Sequence, residues 1–317
     1  SGRQGRPGHE SSSAGHSPSV QSLIGKARLG SGNSLGALLQ LYRNYLRLLA
    51  RIEIAELPAA GLTTEALSAV PAEGLVVTVG LAAAQAVAVQ SAGLPVQPRT
   101  LCLLIPRQAF EQPTPQVGQG ASRRITALYI DQPLARQVAL LRIALPDRRR
   151  VGVILGPDSS IWRGELEAQA HGAGIELAHA RISEPAQMYG ALQDLLPRVD
   201  VMLMLPDRIA SDPDTAYGLM LTSYRAQVPL IGFSAGLAKA GALLSLYSTA
   251  QQQGTQGAAI ARGVLVDGDE LPPPQHPRHF TVRVNTHVAR SMGLSLPDDA
   301  TLARASMRRS TSPASAR

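Results

Sequence analysis

Apolar residues follow two rhythms along this chain. Continuous apolar runs of strand length stand at 75–79 (LVVTV), 101–105 (LCLLI), 151–155 (VGVIL), 201–205 (VMLML) and 229–233 (PLIGF). Between them lie longer stretches in which apolar residues return every three or four positions, such as 81–93, 133–146, 160–174, 184–197, 213–227 and 249–265, several of them ended by Gly or Pro. Buried strands separated by amphipathic helices are how a parallel sheet covered on both faces appears in sequence. Upstream, Leu38, Leu39, Tyr42, Tyr45, Leu46 and Leu49 keep helical spacing from Leu35 onward. The pattern predicts two α/β series, divided near the polar, Pro- and Gly-rich stretch 111–122.

No apolar run reaches the ~20 residues that cross a bilayer. The first nineteen residues are polar and carry no apolar signal-peptide segment, so 1–31 reads as a disordered linker. The net charge of +7 raises the question of nucleic acid. Its excess sits in short arginine clusters at 123–124, 148–150 and 308–309, and aromatic residues are only 3%, too few for the stacking such binders use. Nucleic acid is therefore not an expected partner. Cys102 is the one cysteine and lies in an apolar run, where a thiol is a small buried hydrophobe.

The chemistry-bearing patterns of enzymes are missing from the sequence: there is no G-x-S-x-G elbow, no HExxH, no P-loop and no Cys/His cluster. His171 and His179 flank a turn, while His276, His279 and His287 fall in a proline loop and the strand and helix after it, without metal-ligand spacing. The expectation is a protein that catalyses nothing and needs neither cofactor nor metal.

Ligands of open α/β sheets sit beyond the carboxyl ends of strands, against helix N-termini. That rule marks Gly80, Leu81, Ala82 and Ala83 after the first strand, and Ser159 and Ser160 after 151–155, where either hydroxyl serves equally as a helix cap. Asp207 follows 201–205 and would suit a ligand amine; Phe233 and Ser234 end the strand at 229–233. Tyr129 and Asp131 close the apolar segment 125–129 and would face the hinge side of a cleft. Few aromatics and many aliphatics favour an aliphatic amino-acid-like or amphipathic solute over a sugar or an aromatic amino acid.

Three stretches carry a family resemblance. ITALYIDQP at 125–133, running on into LLRIALPDRRRVGVIL, VPLIGFSAGLAKAGALLSLYS at 228–248, and GTQGAAIARGVLVDG followed by PPPQHPRHFTVRVNTHVARSMGLSLP resemble, in this order, the ABC transporter substrate-binding protein family. The likeness spans roughly residues 70–300. It implies a periplasmic-binding-protein type I fold: two doubly wound parallel-sheet lobes joined by three crossings, closing like a venus flytrap. Lobe 1 is expected at 32–122 plus 249–280 and lobe 2 at 123–248 plus 281–305, with 306–317 a disordered tail. The implied function is periplasmic capture of a small molecule for the membrane permease of an ABC importer. A ligand-sensing domain of the same fold, without transport, is the alternative.

Overall fold

The computed structural model describes residues 62–111 and 124–311; the expected linker at 1–31, the helix from Leu35, most of the loop at 111–122 and the end of the tail lie outside the described residues. Within them, helices and strands alternate as the apolar rhythm requires. The order is α1 (Thr64–Ser68), β1 (Leu75–Val79), α2 (Leu81–Ser91), β2 (Arg99–Ile105), α3 (Arg107–Glu111), β3 (Ile125–Tyr129) and α4 (Leu134–Ala144). Then come β4 (Arg150–Leu155), α5 (Arg163–Gly172), β5 (Glu176–Arg181), α6 (Met188–Leu195), β6 (Val201–Leu203), α7 (Pro213–Arg225), β7 (Leu230–Gly232) and α8 (Ala235–Ala240). The last elements are β8 (Leu244–Tyr247), α9 (Ala250–Arg262), β9 (Thr281–Val284), α10 (Thr286–Ser291) and α11 (Asp299–Thr311).

The strands form two sheets. The first has the order β1-β2-β3, all parallel, and the second the order β5-β4-β6-β7-β8-β9, parallel except for the antiparallel edge pair β8–β9. Parallel neighbours need a covering crossover, and the helices between strands supply it. Among the described residues the chain passes between sheets three times: after β3, after β8 into α9, and before β9. α9 returns to the first sheet, where Ala261 packs with Leu101, Leu103 and Leu128. The second sheet carries the larger cores, one of them centred on Leu140, Val153, Val201 and Leu244.

Two expectations shift. β3 pairs with β2 from Thr100 opposite Ile125 onward, so the chain leaves lobe 1 after Tyr129 rather than at 122. The C-terminal helix runs to Thr311 instead of fraying at 306. Its Leu302 and Ser306 are fully buried, with Leu302 in the same core as α4, and this burial holds a stretch of weakly apolar sequence in helical form. Gly293, at φ 64°, separates it from α10 by a left-handed turn that favours glycine.

Local sequence sets the helix starts. Thr249 and Gln252 form a capping box on α9, Asp212 caps α7 ahead of Pro213, and Asn285 caps α10.

Candidate functional site

The carboxyl ends of strands from both sheets border a narrow cleft of about 50 Å³. It is lined from lobe 1 by Pro106, Arg107 and Gln108, from lobe 2 by Trp162, Leu205 and Pro206, and from the crossings by Asp131, Gln132 and His276. Its lining mixes five apolar residues with six polar or charged ones.

The lobe 1 wall is aimed by a distortion in β2. Leu104 has φ 56°, and the register with β3 slips between Leu103 and Ile105. A bulge at the end of a strand redirects the chain beyond it. Here the redirected segment is Pro106 and α3, which brings Arg107 against lobe 2. Its guanidinium donates to Glu111 on its own helix (3.0 Å) and to Glu165 on α5 (2.9 Å), and lies 4.2 Å from the ring centroid of Trp162. Burial lowers the Arg107 pKa, but the hydrogen bonds to Glu111 and Glu165 outweigh it and hold the pKa above the usual arginine value. Gln108 reaches Asp158 at 3.4 Å. These contacts join the two lobes directly across the cleft.

Glu165→Gln is therefore expected to move the ligand-free protein toward an open form, by about two- to fivefold in the closed-to-open ratio, because a partly exposed ion pair contributes under about 1 kcal/mol. Small-angle scattering reads the change as a larger radius of gyration. The difference from the unmodified protein should vanish in high salt, which screens the native pair; identical scattering of the two proteins at low salt would refute the bridge.

The hinge side is a network of amides. Gln132 donates to Ser248 at 2.8 Å, tying the first crossing to the second, and Ser248 donates to the His279 carbonyl at 2.6 Å, tying the second to the third. Arg136 donates to Gln132 Oε1 (2.7 Å) and to the Pro277 carbonyl (2.8 Å). Gln253 donates to the Tyr129 carbonyl at 2.9 Å, and Gln275 exchanges main-chain bonds with Ala127 and Tyr129 at the edge of the first sheet. The Tyr129 hydroxyl donates to Glu111 at 3.0 Å; burial, and then the Glu111 charge, push its pKa up. Burial also raises the Asp131 carboxyl and lowers the His276 imidazole.

Of the residues that sequence marked for the site, Asp131 lines the cleft and Tyr129 supports it from behind. The others serve elsewhere. Asp207 does not present its carboxylate to a ligand: it is buried and accepts from the Asp158, Ser159 and Ile209 amides and the Ser159 hydroxyl, each at 2.9 Å. Ser159 accepts in turn from the Gly156 amide, so these two residues brace the loops after β4 and β6. The Ser160 hydroxyl faces the Pro157 carbonyl at 3.4 Å. Ser234 caps α8, and Phe233 packs on the core beside Ile154 and Leu237. Gly80, at φ 87°, spends its amide on the Leu103 carbonyl. Leu81 packs against lobe 1, and Ala82 and Ala83 stay outside the cleft lining. Sequence reading missed Arg107, Gln108, Gln132, Trp162 and His276 as site residues. Arg107 and Gln108 directly follow a strand and were findable by the strand-end rule; His276 lies in a proline loop with no local signal.

The profile of a family described as ABC transporter substrate binding protein matches residues 71–307. No curated protein matches the chain. Several solved structures share the fold. A ligand-free, open substrate binding protein with adhesive properties from Clostridium difficile has a TM-score of 0.63 at 14% identity, covering 83% of this chain and 92% of that one. An ABC domain from Streptococcus pneumonia in complex with L-Trp gives 0.56 at 16%, with the same coverage. A conserved domain protein from Vibrio cholerae gives 0.55 at 20%, covering 83% of this chain and 82% of that one.

Proposed function

This chain belongs to the ABC transporter substrate-binding protein family, and from that premise we propose that it captures a small solute between its lobes and delivers it to the permease of an ABC importer. The observation that carries this reading is the cleft itself, walled by strand ends of both lobes and floored by the crossings that must bend when the lobes separate. A solute held by Arg107 or Gln108 on one side and Trp162 or Leu205 on the other touches both walls only when they are close. Its binding energy then favours the closed form, the state a permease is to recognise. The working location is the periplasm, and the cycle is capture and release without turnover.

Leu134, Leu205, Pro106 and Pro206 give the cleft an aliphatic lining, with Asp131 and Arg107 as opposite charges within it. That combination supports an amino-acid-like or amphipathic solute. The pneumococcal domain bound to L-Trp is a precedent for an amino acid in this fold.

Native mass spectrometry of protein purified from its own host tests the reading. The expected result is a small, non-covalent adduct that is lost on unfolding and, when added back unchanged, raises the melting temperature and alters emission from Trp162, the single tryptophan. Absence of any adduct, together with no stabilisation by a broad solute panel, would reject it. Chemical conversion of the recovered solute by the protein would reject binding without turnover.

A further inference from the structure

His276 sits where the third crossing passes the end of β3, and it lines the cleft. Its Nδ1 lies 2.9 Å from the main-chain oxygen of Asp131. A carbonyl oxygen only accepts, so the neutral ring carries its proton on Nδ1 and keeps the lone pair on Nε2. The ring stands edge-on to Tyr129 with centroids 5.2 Å apart, which fixes its plane. Beside it, Asp131 Oδ2 accepts the Arg107 amide, the carboxylate also meets its own main-chain amide, and among the described residues no other residue donates to it.

Both residues line the cleft, so its floor offers two acceptors. An ammonium group only donates, so it complements both; a carboxylate only accepts and meets two lone pairs. Resting on the reading of the cleft as the solute site, we propose that Asp131 and His276 together bind the ammonium group of the ligand, so that the cleft selects amine-bearing solutes.

The pairing makes binding pH-dependent. Protonated His276 loses its acceptor and repels an ammonium. Several groups face its ring: Tyr129 from β3, Asp131 on the first crossing, Arg107 from α3, Arg136 from α4 and Glu165 from α5. Burial, with the two arginine charges, places its protonation below the usual histidine range, against the Asp131 carbonyl and Glu165. Affinity should be full at neutral pH and fall as pH drops through that lowered value.

The test uses the full chain labelled with ¹⁵N at histidine, with L-leucine, isopentylamine (leucine without its carboxylate) and 4-methylpentanoate (leucine without its amine) as probes. The expected result is an Nδ1–H tautomer for His276, an Nε2 resonance shifted by both amines, and no response to 4-methylpentanoate. Asp131→Asn, which keeps an oxygen for the Arg107 amide, should weaken isopentylamine about tenfold. His276→Gln retains a neutral acceptor, so the amine should still bind, with the acid-dependent loss now following the protonation of Asp131 alone. An Nε2–H tautomer, an Nε2 unmoved by either amine, 4-methylpentanoate binding as tightly as the amines, or a wild-type pH profile in His276→Gln would each overturn the proposal. A captured, Trp162-perturbing solute without an amine would overturn this inference and leave the binding function standing. Failure of every solute to bind would instead remove the function itself.

Discussion

Asp207→Ala is expected to lower the free energy of unfolding by about 3–5 kcal/mol, read as a shift of the denaturant midpoint with unchanged slope. The carboxylate is buried and accepts four hydrogen bonds from the two loops that follow β4 and β6. Truncation leaves three amides and a hydroxyl without their acceptor, at about 1–3 kcal/mol for each donor that stays dry, and water entering the space recovers part of it. Asp207→Asn tests the polarity of the bracket. It keeps the shape, but its NH₂ must face one of the donors, so it should recover only part of the loss. Gly156→Ala attacks the same bracket from the other side, because a Cβ at that position would overlap the Asp207 carboxylate. A ligand-binding role for Asp207 predicts the opposite pattern, near-native stability with lost affinity. A midpoint within about 0.5 kcal/mol of the wild type would show that the bracket is not structural.

Asp207 also shows where sequence stops being informative. Its place at the end of a strand was legible from the apolar rhythm, as were the two α/β series and the family likeness. What its side chain meets depends on the neighbouring loop, 49 residues away at Asp158. The same holds for Ser159, whose hydroxyl stays within its own loop and the Asp207 bracket rather than facing a solute. Arg107 and Trp162 come together only because a bulge at Leu104 turns the chain at the end of β2, and backbone of positive φ at a leucine leaves no compositional trace. Conversely, Asp131 was identifiable because it follows a strand whose end must face the hinge, a consequence of topology alone. The lone tryptophan sharpens the lesson. Scarcity of aromatics across 317 residues argues little about a cleft to which the single Trp contributes a wall.

The hinge itself should be the second most sensitive place in the molecule. Arg136→Ala is expected to destabilise the protein by about 2–4 kcal/mol and to increase amide exchange along 275–281. Arg136 is buried, yet among the described residues no carboxylate pairs with it, and its Nε has no partner. Burial lowers its pKa to about 10, which still leaves the group charged at neutral pH. A buried, unpaired cation is a penalty, so its removal alone would stabilise the fold. Three contacts oppose that gain: the bond to Gln132 Oε1, the bond to the Pro277 carbonyl, and the Phe280 ring, whose centroid is 4.4 Å from the guanidinium carbon. Two hydrogen bonds from a charged donor contribute about 1.5–3 kcal/mol each, and the ring about 0.5–2 more. The contacts win because alanine also leaves the buried Pro277 carbonyl without its donor. Arg136→Met separates the terms, since it refills the volume over Phe280 and removes the charge but donates nothing to Pro277. If the tie between the first and third crossings governs stability, methionine should recover less than half of the alanine loss, and exchange at 275–281 should stay fast. A methionine variant as stable as the wild type would mean that packing over Phe280 outweighs the bond to the third crossing.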